Sequence, residues 1–564
     1  MRKNQSVVLL ASIVLSFLSP LFADDNQSAN PENYIGKDRS INIAKGREYM
    51  AVTSDPMATQ AANDVLAKDG TAADAAIAAQ LVLGLTEPQS SGLGGGAFAL
   101  YYDATTKTLL SLDGRETAPK FVSERHFLKK SGEPMNFYDA VLDGRSVGVP
   151  GTPALLGLLH QKFGKHSMEK LITPAHTLAV NGFKPSEGLY LALKSDVGKL
   201  DKNNDTKTYF YENDIIINYK YASVLKKFAK EGYYIFYQSP ISSNIINAVN
   251  KKNGILHQRD FDNYKVILRE PVCDYFRDHK ICSMGEPSSG AITMLQILKI
   301  IEHDPSWHNY IEASKLAFSD RNYYMADPDF INSPGIKLLD NKYIIKRREL
   351  LKQDKILDNP AHGEPSGWDK DLQHSNIGYE EDGTTHISIV DKFGNAISMT
   401  STIENSFGSR IMANGYLLNN ELTDFSFIPK KDGKLIANRI EGWKRPRSSM
   451  TPTIAFSKFD SSPMLIIGSA GGSRIIGHVT QRVIDILYNK KSLQESIESY
   501  HLLNRGGVTE AEGASNIVLD LMNMGHDVNI TEIASGLNGI YIDPNTRDII
   551  GVSDPRRIGT SMGN

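Results

Sequence analysis

The chain has 564 residues, of which 41% are hydrophobic and 23% charged, and its formal net charge is −3. This length allows one large domain or several average ones, and the composition is that of a soluble globular protein with a sizeable core. The nearly balanced charge gives no reason to expect nucleic acid or an acidic membrane surface as a partner.

The N-terminus has the pattern of a secretory signal peptide. Arg2 and Lys3 precede an apolar run over residues 7–18, and Ala23 offers a small residue for cleavage. The alternative is a membrane anchor, but an apolar run of about 12 residues is too short to span a bilayer. We therefore predict that residues 1–23 are removed and that the mature protein is secreted or periplasmic, with no membrane partner.

Two Ala-rich helices are predicted next, over residues 58–67 and 71–83, the second opening on a capping box at Thr71. A glycine-rich loop follows over residues 90–96 and leads into a strand over 97–102. Such a loop can cradle phosphate, but here it precedes a strand rather than a helix. Close backbone packing is therefore the preferred interpretation.

The two cysteines of the chain, Cys273 and Cys282, lie in a predicted β-hairpin that turns at residues 277–278. Pairing Phe276 with His279 puts the cysteines in a non-hydrogen-bonded pair, with Cα atoms about 4.5 Å apart. That separation suits a disulfide, and export to an oxidising compartment favours one, although two reduced strand residues remain the alternative. Two cysteines and scattered histidines give no zinc-type spacing, so no metal is expected.

A second hairpin is predicted over residues 384–402, after a polar segment over 352–383 that reads as a long surface loop. A three-residue turn with Gly394 in the left-handed position places Thr384 opposite Thr402, with Cβ atoms about 5 Å apart. From this hairpin alone, two structural strand threonines are the simpler interpretation.

Three further segments suggest an active site. A glycine-rich loop over residues 468–473 joins a strand over 464–467 to a helix over 475–487, and such a loop exposes backbone N–H groups at positive potential. A nucleotide phosphate loop and a plain tight turn remain alternatives. Acidic and hydroxyl residues over 417–426 and 444–453 could bind the ammonium and carboxylate of an amino acid.

Together, these segments resemble the γ-glutamyltransferase family, also called γ-glutamyltranspeptidase, of the N-terminal nucleophile hydrolases. Further motifs occur in the order of that family: 113–119 (Asp-Gly-Arg-Glu-Thr-Ala-Pro), 149–151 (Val-Pro-Gly), 287–290 (Pro-Ser-Ser-Gly) and 326–328 (Ala-Asp-Pro). The resemblance covers nearly the whole mature chain. It implies an α/β fold, a four-layer αββα sandwich.

The resemblance also implies self-cleavage between Gly383 and Thr384. The products would be a large subunit, residues 24–383, and a small catalytic subunit, residues 384–564, intertwined in one globular unit. The implied activity is a γ-glutamyl hydrolase and transpeptidase. Its donors would be glutathione and other γ-glutamyl compounds, its acceptors water, amino acids or peptides, and no cofactor or nucleic acid is implied.

In the implied site, Thr384 is the nucleophile and its freed amine is the general base, since an α-amine accepts protons near neutral pH. The other roles carried over by motif are nucleophile support (Thr402), oxyanion hole (Gly471, Gly472), α-carboxylate clamp (Arg115, Ser448, Ser449) and α-ammonium acceptors (Glu421, Asp424). Glu404 stands where many relatives have Asn, and we expect it to contact substrate.

Two other functions are compatible with the sequence. One is an acylase of the same fold for glutaryl or β-lactam side chains, which would need no ammonium acceptor, so Asp424 argues against it. The other is a non-catalytic exported binding protein, which would stay uncut. Residues 427–447 lack the lid tyrosine of some relatives. We therefore expect an open cleft above Thr384, with Trp443 either flanking its entrance or packing beneath the loop.

Overall fold

The computed structural model describes residues 41–211, 214–238, 240–353, 355–368 and 383–564. The predicted signal peptide and residues 369–382 of the polar segment lie outside the described residues. The α-helices are α1 (Pro56–Leu66), α2 (Ala72–Thr86), α3 (Phe137–Val141), α4 (Thr152–Phe163), α5 (Met168–Asn181), α6 (Glu187–Ser195), α7 (Val197–Leu200), α8 (Asn204–Tyr211), α9 (Tyr219–Glu231), α10 (Ile235–Gln238), α11 (Pro240–Asn250), α12 (Gln258–Asp262), α13 (Gly290–Ile300), α14 (Trp307–Tyr324), α15 (Asn341–Arg348), α16 (Arg474–Leu487), α17 (Leu493–Glu498) and α18 (Asn516–Asn523).

The strands are β1 (Asn42–Gly46), β2 (Met50–Thr53), β3 (Gly96–Asp103), β4 (Thr108–Gly114), β5 (Ile267–Arg269), β6 (Val272–Phe276), β7 (His279–Ser283), β8 (Thr384–Val390), β9 (Ala396–Thr402), β10 (Met412–Ala413), β11 (Tyr416–Leu417), β12 (Lys430–Lys431), β13 (Lys434–Leu435), β14 (Thr453–Phe456), β15 (Pro463–Gly468), β16 (Leu502–Leu503), β17 (Thr509–Ala511), β18 (Val528–Ile530), β19 (Asn538–Ile542), β20 (Ile549–Ser553) and β21 (Thr560–Gly563). Short 3₁₀ turns occur at Gly144–Ser146, Gly335–Leu339 and Glu421–Asp424.

Two seven-stranded antiparallel sheets form the centre of the molecule. The first has the order β1-β20-β19-β15-β14-β7-β6, and the second has the order β21-β2-β8-β9-β3-β4-β5. An apolar cluster that includes Val52, Leu100, Ile454 and Ile540 lies between them. Helices α13, α14 and α16 cover the outer face of the first sheet, and α1, α2 and α4 cover that of the second. The predicted four-layer αββα sandwich is confirmed.

The side chains of β8 show why this strand joins two layers. Ile387 and Ile389 pack in the cluster formed with the helices, because alternate residues of a strand share a face. His386 and Ser388 point the other way, and the Ser388 hydroxyl donates to the Asn538 carbonyl of the first sheet at 3.0 Å. Thr384 lies at the start of this polar row.

Both sheets take strands from each side of the Gly383–Thr384 bond. In the second sheet, β8 pairs with β2 on one side and with β9 on the other, and β9 pairs with β3. In the first sheet, β7 pairs with β14. A cut at this bond would therefore leave two fragments that share both sheets.

The predicted hairpins and caps are present. Cys273 is paired with Cys282 in register and the two form a disulfide, with Cα atoms 4.1 Å apart. Thr71 caps α2, and its hydroxyl accepts from the Asp74 amide in a capping box. Within the described residues, no helix is long and apolar enough to cross a membrane.

Candidate active site

The 384–402 hairpin has the predicted register. Thr384 pairs with Thr402, and Gly394 occupies the left-handed turn position at φ +87°. The Thr384 hydroxyl donates to the Thr402 hydroxyl at 3.3 Å. The Thr402 hydroxyl in turn donates to the Gly383 carbonyl at 2.6 Å, and the Ile403 amide donates to the same carbonyl at 3.3 Å. The carbonyl next to Thr384 thus accepts two hydrogen bonds.

Gly383 is held against the backbone after β9. A Cβ atom at position 383 would lie 2.2 Å from the Glu404 carbonyl oxygen, which no side chain could tolerate. Glu404 itself adopts φ +75°, a left-handed conformation that costs a non-glycine residue about 1 kcal/mol or more. The Glu404 amide donates to the Thr402 hydroxyl at 2.8 Å, and its carboxylate accepts from the Asn420 side chain.

The glycine-rich loop lies between β15 and α16, as predicted. Gly471 and Gly472 have φ angles of +122° and +53°, conformations that side chains rarely adopt. A Cβ at Gly471 would also approach the His478 ring to 2.9 Å. Because α16 begins directly after this loop, its N-terminal partial positive charge lies at the glycines and favours an anion there.

Arg115 and the two predicted ammonium acceptors contact one another. The buried Arg115 guanidinium donates to the carboxylates of Glu421 and Asp424, and at 2.9 Å to the Arg447 carbonyl. Burial opposes the charge on Arg115, but the two carboxylates raise its pKa above the usual value. A substrate carboxylate that binds Arg115 would therefore replace at least part of this pairing.

A buried acidic pair, Glu116 and Glu421, lies beside this cluster. Burial raises the pKa of Glu116 well above its usual range, and the neighbouring Glu421 carboxylate raises it further. Burial also raises the pKa of Glu421, with Arg115 opposing the shift. The two buried carboxyl groups thus disfavour each other's ionisation, and Glu421 is the member that pairs with Arg115.

The two candidate clamp serines are fixed by other segments. The Ser448 carbonyl accepts from the Ser289 amide at 2.8 Å, in a parallel bridge between the 287–290 motif and the segment after Arg447. The Ser449 hydroxyl accepts from the Arg321 guanidinium at 2.6 Å. Arg321 was not predicted from the sequence.

Nine of the ten candidate site residues line one small pocket: Arg115, Thr384, Thr402, Glu404, Glu421, Asp424, Ser448, Ser449 and Gly472. Gly471, the tenth, directly precedes Gly472 in the loop. Met450 and Ile475 complete the wall and were not predicted. The pocket volume is about 30 Å³, enough for roughly two water molecules, so a bound amino acid would require side chains to move.

Behind Thr384 lie two charged residues that the sequence did not indicate. The Arg557 guanidinium donates to the Thr384 carbonyl at 3.1 Å and lies 3.9 Å from the Glu87 carboxylate. The Thr385 hydroxyl donates to Glu87 at 3.0 Å. Burial raises the pKa of Glu87 to about 7, although Arg557 opposes the shift.

The expected opening above Thr384 is absent from the uncut chain, because Thr384 and Thr402 are each only 3% exposed. None of residues 427–447 lines the pocket. Trp443 does not flank its entrance. It is 37% exposed and its ring packs under the Lys120 ammonium at 4.6 Å. Among the described residues, no group of His, Cys, Asp and Glu side chains could hold a metal ion.

The chain is similar to known proteins in both sequence and fold. Residues 58–564 match the family described as gamma-glutamyltranspeptidase. The chain is 33% identical to the glutathione hydrolase proenzyme of Bacillus subtilis strain 168, over 98% of this chain and 97% of that protein. It is 31% identical to the glutathione hydrolase proenzyme of Escherichia coli K12, over 94% of each chain. In fold it is similar to cephalosporin acylase from Bacillus halodurans, with a TM-score of 0.82 and 23% identity, over 95% of this chain and 99% of that one.

Proposed function

The chain belongs to the γ-glutamyltranspeptidase family, and from this premise we propose that it is a γ-glutamyl hydrolase and transpeptidase that activates itself by cutting before Thr384. Its donors are glutathione and other γ-glutamyl compounds, and its acceptors are water, amino acids or peptides. The observation that carries the proposal is the pocket in which Thr384 lies next to the predicted amino-acid-binding groups and Gly472.

The contacts around Gly383 support the proposed self-cleavage. The Thr384 hydroxyl attacks the Gly383 carbonyl carbon, and the Thr402 hydroxyl and Ile403 amide stabilise the oxyanion that forms on the carbonyl oxygen. The C–N bond breaks and the proton passes to the nitrogen, which leaves an ester and a free Thr384 amine. Water then hydrolyses the ester. The products are the two subunits, residues 24–383 and 384–564.

The mature enzyme uses the same hydroxyl on its donor. The Thr384 amine takes the hydroxyl proton as oxygen attacks the γ-carbonyl, and the amides of Gly471 and Gly472 stabilise the oxyanion. The proton passes to the leaving amine, and a γ-glutamyl ester forms on Thr384. Water or an acceptor amine attacks this ester, releases the γ-glutamyl group and restores the hydroxyl.

The other pocket groups hold the glutamyl end of the donor. The Arg115 fork and the hydroxyls of Ser448 and Ser449 suit the α-carboxylate, and the carboxylates of Glu421 and Asp424 suit the α-ammonium. When the donor binds, its α-carboxylate replaces the protein carboxylates as the partner of Arg115. Its α-ammonium replaces Arg115 as the partner of Glu421 and Asp424. Glu404 contacts the donor from the Thr402 side. The N-terminal sequence pattern supports export to a secreted or periplasmic location.

The test compares wild type with Thr384→Ala, and uses Thr400→Ala as a matched control from the neighbouring strand. Wild type and Thr400→Ala should give two fragments on a denaturing gel, with Thr384 as the N-terminal residue of the smaller one, and should release glutamate from glutathione. Thr384→Ala should remain one chain and release none. Two fragments from Thr384→Ala, or activity in the uncut chain, would refute the proposal.

A further inference from the structure

A second cavity adjoins the active-site pocket. Its volume is about 380 Å³, and its lining includes the arginines Arg321, Arg447 and Arg505, with Glu510 as the one acidic residue among the described side chains of its wall. The Glu510 carboxylate accepts from Arg505 at 3.1 Å and from Arg474 at 2.8 Å. One negative charge is thus shared by two guanidiniums. The cavity is a site of positive potential that would attract an anion.

Two segments of the chain contribute neighbouring residues to the cavity and to the catalytic pocket. Ser473, which lines the cavity, directly follows Gly472 of the oxyanion loop, and its hydroxyl accepts from Arg505 at 2.7 Å. Arg447 directly precedes Ser448 in the chain. Arg321 lines the cavity and also donates to the Ser449 hydroxyl of the pocket. Arginines of the cavity therefore contact both the oxyanion loop and a serine of the proposed clamp.

The cavity lies where the leaving group of the donor is expected, on the other side of the cleaved bond from the γ-glutamyl group. In the proposed reaction the γ-carbonyl lies at Gly471 and Gly472, so the amine bonded to that carbonyl must leave close to the loop. The next residue of the loop is Ser473, at the cavity wall. An extended leaving group of two residues spans about 7 Å, and guanidinium groups are well suited to bind its terminal carboxylate.

We propose that this arginine-lined cavity is the subsite for the carboxylate of the leaving group, so that the enzyme prefers γ-glutamyl peptides that end in a free carboxylate. The inference rests on the proposed function, since it places the leaving group relative to Thr384. The expected substrates are donors that carry a negative charge one or two residues beyond the cleaved bond.

The test measures glutamate release by the self-cleaved enzyme from glutathione and from glutathione amide, which differ only in the terminal carboxylate. Wild type should have the higher kcat/KM for glutathione. Arg505→Gln should lower the glutathione-to-amide ratio about tenfold or more, because a charged hydrogen-bond partner is lost. Arg47→Gln, at an exposed arginine directly after β1, serves as the control and should leave the ratio unchanged.

A second pair of variants avoids the Arg505–Ser473 contact. Val508 lines the cavity and is 48% exposed, so Val508→Asp adds a negative charge there and Val508→Asn is its neutral control. Val508→Asp should lower the ratio and Val508→Asn should not.

Three outcomes would overturn the subsite. The first is a wild type that cleaves both donors equally well. The second is an unchanged ratio in Arg505→Gln and Val508→Asp, including equal losses on both donors. The third is that these variants slow self-cleavage and leave the ratio unchanged. The cavity would then act in the uncut precursor, in which acidic residues 380–382 precede the bond that is cut. If wild type cleaves neither donor, the proposed function fails as well.

Discussion

Replacing Thr402 with valine should slow self-cleavage while the fold is retained. Valine has nearly the shape of threonine but lacks the hydroxyl that donates to the Gly383 carbonyl at 2.6 Å. In the ground state this is a neutral hydrogen bond, worth about 1 kcal/mol. In the transition state the carbonyl oxygen becomes an oxyanion, and the loss of one such donor costs about 2.7–4 kcal/mol, or a factor of about 10²–10³ in rate.

Two features of the structure bound this estimate. The Ile403 amide, 3.3 Å from the same oxygen, remains as a donor, so cleavage should be slowed rather than abolished. The hydroxyl of Thr402 also accepts from Thr384 and from the Glu404 amide, so both groups lose an acceptor in the variant. The reduction in the rate of self-cleavage should therefore lie toward the upper end of the range of about 10²–10³-fold.

The assay is a pulse–chase of newly translated precursor, with the uncut fraction measured on denaturing gels over time. Thr402→Ser keeps the hydroxyl and should cleave within a few-fold of the wild-type rate. Thr400→Val, two register pairs along β9, loses a 2.8 Å hydrogen bond to His386 instead and controls for the removal of a buried hydroxyl. Cleavage of Thr402→Val at the wild-type rate, or equal slowing in Thr400→Val, would refute the reasoning.

Two further predictions concern charge. Asp424→Ala should reduce turnover of γ-glutamyl anilide about 10- to 100-fold, because a charged partner of the substrate ammonium is lost, and should reduce turnover of glutaryl anilide much less; equal losses on the two substrates would contradict the role of Asp424. Glu87 keeps its proton in the folded chain up to a pKa of about 7, whereas the unfolded chain releases it near 4.5, so its contribution to stability is lost as pH rises between these values. In an uncut Thr384→Ala background, Glu87→Gln should abolish this loss of about 3 kcal/mol, measured by urea unfolding at pH 5 and pH 8, and an unchanged pH dependence would exclude it.

Local patterns were sufficient to predict the hairpins and the capped helix. Alternation of side chains and a glycine in the turn determine the Thr384–Thr402 pairing, and the same reasoning correctly paired Cys273 with Cys282. The glycine-rich loop also followed from its position between a buried strand and a helix. Each of these predictions depends on residues close together in the chain.

The charged surroundings of the site could not be predicted in this way. Arg557 contacts Thr384 and Arg321 contacts Ser449 across sequence separations of 173 and 128 residues. No local periodicity encodes such contacts, because they depend on how the layers pack. The direct pairing of Arg115 with Glu421 and Asp424 was missed for a related reason. The motifs assigned Arg115 to the carboxylate of a substrate and the two acidic residues to its ammonium. In the uncut chain the three side chains pair with one another instead.

The position of Thr384 suits its hydroxyl to both of the proposed reactions, self-cleavage and attack on the donor. β8 lies between β2 and β9 inside the second sheet, and the Thr384 carbonyl accepts from Arg557, so breaking the bond to Gly383 leaves these contacts of the strand intact. In the uncut chain the Thr402 hydroxyl donates to the Gly383 carbonyl. On the proposed cleavage this acceptor becomes a chain end, and the Thr402 hydroxyl is freed to donate to the Thr384 oxygen. The proposed self-cleavage would thereby supply a general base and a hydrogen-bond donor to the proposed nucleophile, which the fold already holds in place.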